Sequence, residues 1–327
     1  MLPSVLTECL RLPVLASPLF LISGPDLVVE TCRAGVIGSF PSFNQRTSAG
    51  YEDWLRDIRA RLRPNDAPWA AQFAVHRTNN RLEADLALTV KYQVPILITA
   101  LGITREVTDA VHAYGGLVFH DAINMQHARK ALEMNVDGII AVCNGAGGHA
   151  GTYNPFAFIG ELRPLMGNKT LILSGCISDG SSVASAIAAG ADLAYIGTRF
   201  INTAESMASA QMKQLVIESS ITDIIYSAEV DGVGANWLRQ TLPSRGNLRA
   251  GGEVGSMNVT DVLGEPKRWR DILSAGQGVG AIHDTPPVAE LIARMECEYL
   301  EATDRLAHSV RQRRNQAYLA AGHSYRD

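Results

Sequence analysis

Short apolar runs alternate with amphipathic segments along most of the chain. Runs of strand type fall at 13–18, 36–40, 69–75, 94–100, 116–121, 137–143, 170–175 and 193–198. Most are continuous aliphatic or β-branched stretches, as strands covered on both faces require. Helical patterns lie between them, clearest at 51–62, 82–93, 103–114, 124–134 and 181–189. Eight strands with interleaved helices predict α/β construction as a (β/α)8 TIM barrel rather than an open doubly wound sheet. An open sheet usually marks its first strand–helix turn with GxGxxG, and residues 18–24 (PLFLISG) contain none. That absence also counts against a Rossmann site for a nicotinamide cofactor. The barrel is complete by about Phe200. Beyond it, 206–219 reads as a helix, 222–260 is rich in glycine and turn residues, and 286–319 reads as one or two long helices. The predicted division is a barrel of residues 1–210 and 263–327, with a small inserted domain at 211–262 covering the substrate.

Composition narrows the class. Of 327 residues, 46% are apolar and 19% charged, which suits a sizeable core. Lys and Arg number 29 against 33 Asp and Glu, a net charge of -4, so the basic footprint of a nucleic-acid binder is missing. The longest apolar runs, such as 94–101, fall short of the ~20 residues of a membrane-spanning helix. The first 18 residues hold one basic side chain, Arg11, and break at Pro13, which does not suit a signal peptide. Cys9, Cys32, Cys143, Cys176 and Cys297 are scattered without metal-ligand spacing. The expectation is a cytoplasmic protein with free thiols and no metal, without membrane or nucleic-acid partners, and able to form a homodimer.

In a barrel the chemistry belongs in the loops after the strands. Three such loops stand out. Ser174-Gly175-Cys176-Ile177-Ser178-Asp179-Gly180 runs from the seventh strand into a helix. Ile196-Gly197-Thr198-Arg199-Phe200 ends the eighth strand. Glycines at these two positions either serve tight turns only or let backbone amides approach a phosphate, and as a pair they favour phosphate. The third loop, Asn144-Gly145-Ala146-Gly147-Gly148-His149-Ala150-Gly151, has more glycines than a turn needs and an imidazole at its centre. Small residues there admit a flat ligand, and His149 adds the side chain that titrates near neutrality.

GAGGHAG at 145–151, LSGCISDG at 173–180, YIGTRF at 195–200 and SAGQGVGAI at 274–282 resemble the nitronate monooxygenase family, formerly called 2-nitropropane dioxygenase. The resemblance spans nearly the whole chain. It implies an FMN-bearing barrel with a smaller domain over the flavin, and oxidation of alkyl nitronates by dioxygen to carbonyl compounds and nitrite. It places the catalytic histidine at His149, and the flavin at Gly147, Gly148, Ser174, Gly175, Cys176, Gly197 and Thr198. It also puts His120, a basic residue at the end of the fifth strand, and Gln277 and Gly278 near the flavin. Two positions depart from the family pattern. Ala16-Ser17-Pro18-Leu19-Phe20 replaces a QAPM- or QGGM-like stretch, and Phe20 narrows what faces the flavin. Cys176 stands where relatives usually have Gly, which a negative φ would allow.

A nitronate is a small planar anion, so its site needs a donor or positive charge. His149 can bind it, or deprotonate the parent nitroalkane. His120 is the candidate cation at the flavin's pyrimidine end; otherwise it is a strand-end histidine satisfied by backbone. Asp121 either orients His120 or forms a rim salt bridge. A helix N-terminus could make Cys176 a nucleophile, though nothing else marks it as a thiolate. His76, His112 and His127 read as solvated. Trp237 reads as packing for the small domain or a lid contact, and 288–300 as a covering helix. The alternative functions are an NAD(P)H-dependent flavin reductase acting on quinones or enoyl thioesters, and a phosphate-ligand-binding barrel without redox chemistry.

Overall fold

The computed structural model describes residues 2–230, 232–242 and 271–320. Eight of its strands carry the expected apolar runs: β1 (Val14–Ala16), β2 (Gly38–Pro41), β3 (Trp69–Ala74), β4 (Ile96–Ala100), β5 (Leu117–Ala122), β6 (Gly138–Val142), β8 (Thr170–Ser174) and β9 (Leu193–Ile196). All pair in parallel in the order β1-β9-β8-β6-β5-β4-β3-β2. A parallel bridge between Leu15 and Ile37 closes the ring, with the Ala16 amide donating to the Ile37 carbonyl at 2.8 Å. The protein is a (β/α)8 barrel.

Around it run α1 (Ser4–Thr7), α2 (Pro25–Arg33), α3 (Ser48–Arg61), α4 (Leu82–Tyr92), α5 (Arg105–His112), α6 (Met125–Glu133), α7 (Pro155–Leu162), α8 (Gly180–Ala188), α9 (Thr198–Ile201) and α10 (Ala210–Glu218). The last, α11, is one continuous helix over Val288–Ala320. Side-chain caps fix several starts: Thr47 accepts from Gly50 at 3.1 Å, and Asn124 from His127 at 2.8 Å. Helices α2 and α7 have no counterpart among the helical patterns read above. Both begin with proline, which suits the first turn because its missing N–H would have no partner there.

Side chains alternate strictly along the barrel strands. Leu15, Ile37, Ala70, Ile98, Phe119, Ile140, Ile172 and Leu193 fill the interior. Val14, Ala16, Leu97, Val118, Ile139, Leu171 and Ala194 face the helical layer. The period of two then makes Ser17, Gln72, Asp121, Ser174 and Tyr195 the next interior positions toward the strands' C-terminal ends, and all five line one large cavity there. Helix α11 packs against α8 and α2, completing the outer layer between the last strand and the first. Its Val288, Leu291, Ile292 and Met295 join the same core as the barrel's outer face.

Two further strands, β10 (Ile224–Ser227) and β11 (Ala235–Leu238), stand outside the barrel wall. They form an antiparallel sheet in the order β10-β11-β7, where β7 (Gly148–His149) comes from the barrel's own glycine-rich loop. Within the inserted segment, residues 243–262 lie outside the described residues, as do 263–270 and 321–327.

Candidate active site

The cavity at the C-terminal mouth of the barrel measures about 1480 Å³, above the 300–1,000 Å³ of most ligand pockets. Its floor is the upper interior layer of the barrel. The loops after β8 and β9 bound one side, and the sheet bearing His149 hangs above. Arg46, Arg77 and Lys130 line it, with His76, His127 and His149, while Asp121 is the one acidic side chain among its described lining residues. A chain of net charge -4 thus keeps a basic cavity, which suits an anionic ligand.

The four amides of Gly175, Cys176, Gly197 and Thr198 make no backbone hydrogen bond among the described residues. The adjoining helix end is sealed instead. Asp179 caps α8 by accepting from Ser182 N–H at 2.7 Å, and Ser182 Oγ accepts from the amides of Ser178 and Asp179 at 3.1 Å. The Gly180 amide donates to Glu298 at 2.8 Å. The amides of Ser178, Asp179, Gly180 and Ser182 at the start of α8 are thus already engaged by side chains. Cys176 also departs from expectation: its φ is +58°, in the left-handed region. A side chain there costs roughly 1 kcal/mol, and the chain accepts it. Burial raises the thiol's pKa, which argues against a thiolate nucleophile.

Segment 274–278 braces both loops. The Gly276 amide donates to Thr198 Oγ1 at 2.8 Å, and the Gln277 amide to the Gly145 carbonyl at 2.9 Å. A Cβ at Gly276 would stand 2.6 Å from the Gly145 carbonyl oxygen, so only glycine permits this approach. Gly147, Gly148, Ser174, Gly175, Cys176, Gly197, Thr198 and Gly278 all reach the cavity wall. Gln277 does not belong to the lining; its Oε1 lies 3.9 Å from Cys176 Sγ.

His149 is held by strand pairing that its glycine-rich surroundings do not announce. Gly148 and His149 pair with Asn236 and Ala235 of β11. Asn236, 1% exposed, donates from Nδ2 to the Ala146 carbonyl at 2.7 Å, and Tyr226 Oη donates to the Ala150 carbonyl at 3.2 Å. Trp237 is fully buried and donates to the Ser227 carbonyl at 3.0 Å, so it packs the small sheet. Phe20 lines the cavity and packs against Phe43 and Ala74.

Strand alternation separates the neighbours His120 and Asp121. His120 shares the outward side with Val118 and Ala122, and its Nδ1 lies 2.8 Å from Thr99 Oγ1. Burial, aided by the charges of His127 and Lys130, lowers its pKa to about 4. That favours the neutral imidazole near pH 7 over the expected cation, while His120 itself belongs to the cavity lining. Asp121 faces inward beyond Phe119, and its buried Oδ1 has no hydrogen-bond partner among the described residues. Among the described residues it neither bonds to His120 nor forms a salt bridge. Burial raises its pKa to about 7. The sequence held the signal for this residue: period two along LVFHDA, with Phe119 inside, puts Asp121 inside as well.

Residues 4–298 match the nitronate monooxygenase family model. The chain belongs to the nitronate monooxygenase family. It is accordingly an oxidoreductase of flavin-dependent type. Nitronate monooxygenase from Paraburkholderia phytofirmans is 23% identical over 344 residues, covering 90% of this chain and 94% of that one. A Rhodococcus jostii protein named (3aS,4S,5R,7aS)-5-hydroxy-7a-methyl-1-oxo-octahydro-1H-indene-4-carboxyl-CoA dehydrogenase is 25% identical over 254 residues, covering 76% of this chain and 70% of its own. The crystal structure of a nitroalkane oxidase from Streptomyces ansochromogenes superposes with a TM-score of 0.76 at 22% identity, covering 93% of this chain and all of that one. Among the described residues, no helix of this family member is long and apolar enough to cross a membrane, and no cluster of side chains suits a metal ion.

Proposed function

We propose that the protein binds FMN non-covalently and oxidises small alkyl nitronates with dioxygen, giving carbonyl compounds and nitrite. The observation that carries this is the pairing, in one basic cavity, of four unengaged amides at one side with His149 above the floor. Gly175, Cys176, Gly197 and Thr198 would hold the flavin's phosphate, and the unpartnered Asp121 Oδ1 offers an acceptor to its polar edge. Bound there, the flavin supplies the electron transfer. The chain does the rest. Arg46, Arg77 and Lys130 draw the anion in, and His149 binds it or takes the proton of the parent nitroalkane.

A second reading, an NAD(P)H-dependent reductase of quinones or enoyl thioesters, draws on the cavity's size, which exceeds the need of one small substrate. Anaerobic mixing of the yellow protein with a nitronate, NADH and NADPH separately distinguishes the two. Bleaching by the nitronate is expected; bleaching by a nicotinamide alone would overturn the first reading. The cofactor assignment has its own test. Gly197→Asp puts a carboxylate beside the phosphate and should give largely colourless protein, and full flavin occupancy in that variant would contradict the cradle.

A further inference from the structure

The cavity floor is made by side chains that follow the last apolar layer of the barrel. Ser17, Gln72, Ser174 and Tyr195 are neutral, and Asp121 is the floor's ionisable carboxyl. A buried carboxylate normally draws in a cation or several N–H donors, because leaving it bare costs several kcal/mol. Among the described residues none bonds to Asp121 Oδ1. Arg46, Arg77 and Lys130 stand in the loops and on α6, not on the floor, and Asp121 Oδ1 is without a hydrogen-bond partner among the described residues. From β9, Tyr195 faces the same space, and the charge of Asp121 helps hold its phenol protonated. Neighbouring β4 and β6 present Ala100 and Val142. From above come Tyr226 and His149. His120, on the outward side of β5, and His127 and Lys130, on α6, also reach the cavity lining. The group is thus placed against any flat ligand lying on the floor, in a position where it is stable with its proton and tolerable without it.

We propose that Asp121 is the proton-holding group of this site: it takes up one proton from solvent when a ligand seated on the floor gains negative charge, and returns it when that charge leaves. An O–H bond forms on the carboxyl and later breaks; Asp121 itself is neither oxidised nor reduced. Burial holds the carboxyl's pKa at about 7, so near neutral pH it is already about half protonated and gains at most about half a proton, whereas near pH 8 a single added charge nearby shifts it by most of one. The assignment rests on the proposal that the ligand is a flavin, whose reduction delivers that charge.

The test is proton uptake during anaerobic photoreduction of the flavin-loaded protein, read with an indicator dye at about pH 8, above the carboxyl's titration. Wild type should take up about one proton more per flavin than Asp121→Asn, and the difference should vanish at about pH 5.5, where the carboxyl is already protonated. Equal uptake at the higher pH overturns the proposal. If Asp121→Asn fails to hold flavin, Asp121→Glu should retain the extra proton. Wild type can also be read alone: its reduced-minus-oxidised infrared spectrum should show a new protonated-carboxyl band, and absence of that band is equally decisive against Asp121. A yellow protein without the band removes this assignment only. A protein that takes up no flavin removes the flavin reading and this one together.

Discussion

His149 and Asp121 bracket the cavity from opposite sides, one on a strand above and one on the barrel floor. Their chemistry differs because their surroundings do. Asp121 is surrounded by apolar and neutral polar side chains, whereas His149 sits in a chain of glycines that leaves room beside it. If His149 is the base toward neutral nitroalkanes, His149→Asn should lower that rate by ~10²–10⁴-fold, while oxidation of a preformed nitronate, which needs no deprotonation, should fall much less. Both rates are to be measured at one pH with flavin content checked. Equal losses would leave His149 a binding residue only. His120, one step from Asp121, takes the outward side of the strand at the cavity's edge, and burial favours its neutral form.

At the scale of elements, the decisive contact is a two-residue strand. β7 exists because β11 offers it a partner, and the Asn236 side chain adds a buried bond to the Ala146 carbonyl. Asn236→Leu keeps the volume but leaves that carbonyl unpaired, which should cost about 1–3 kcal/mol. Chemical denaturation should show the loss, and the Ala150 amide, which donates to Gly234 at 3.0 Å, should exchange faster. If the loops after β8 and β9 hold the flavin phosphate, turnover should fall without loss of flavin, because those loops lie on other strands. Unchanged exchange and unchanged turnover would mean that β7 is held by its backbone pairing alone.

Across the whole molecule, the C-terminal helix closes the ring that the first strands begin. Arg199, 3% exposed, pairs with Asp284 at 2.7 Å just before α11, and Arg294 of α11 reaches the same carboxylate at 2.8 Å. Val288 at the helix start donates to Glu205 at 3.0 Å. Burial would raise the Asp284 pKa, but the hydrogen bond from Arg294 and the charge of Arg199 outweigh it, so the carboxyl stays below the usual range. A depressed carboxylate stabilises the fold above its unfolded pKa of ~4 and loses that contribution as pH falls through the folded value. Arg199→Met should cost about 1–2 kcal/mol near neutral pH, less than a fully buried pair, since Asp284 is half-exposed and keeps Arg294. The gap between wild type and variant should shrink on acidification below about pH 4. A gap independent of pH would assign the loss to packing.

The sequence by itself determined the barrel and the places of the glycine-rich loops that line its mouth. Short, β-branched apolar runs suit strands covered on both faces, and eight of them with helices between leave few closed arrangements. The loops around Gly175, Gly197 and His149 were legible because glycines cluster there at three strand ends, and all three loops line the cavity. Helices α2 and α7 were harder to see, since short segments led by proline read as turns until a sheet lies beside them. The tertiary structure decided three things. It paired β7 with β11, strands 86 residues apart by the register of His149 and Ala235. It also sealed the start of α8 with Asp179 and Glu298, although a bare helix N-terminus in sequence looks like an anion site. And it left Asp121 Oδ1 without a hydrogen-bond partner among the described residues, because hydrogen-bond satisfaction depends on which side chains meet across a closed barrel, and no local pattern records that.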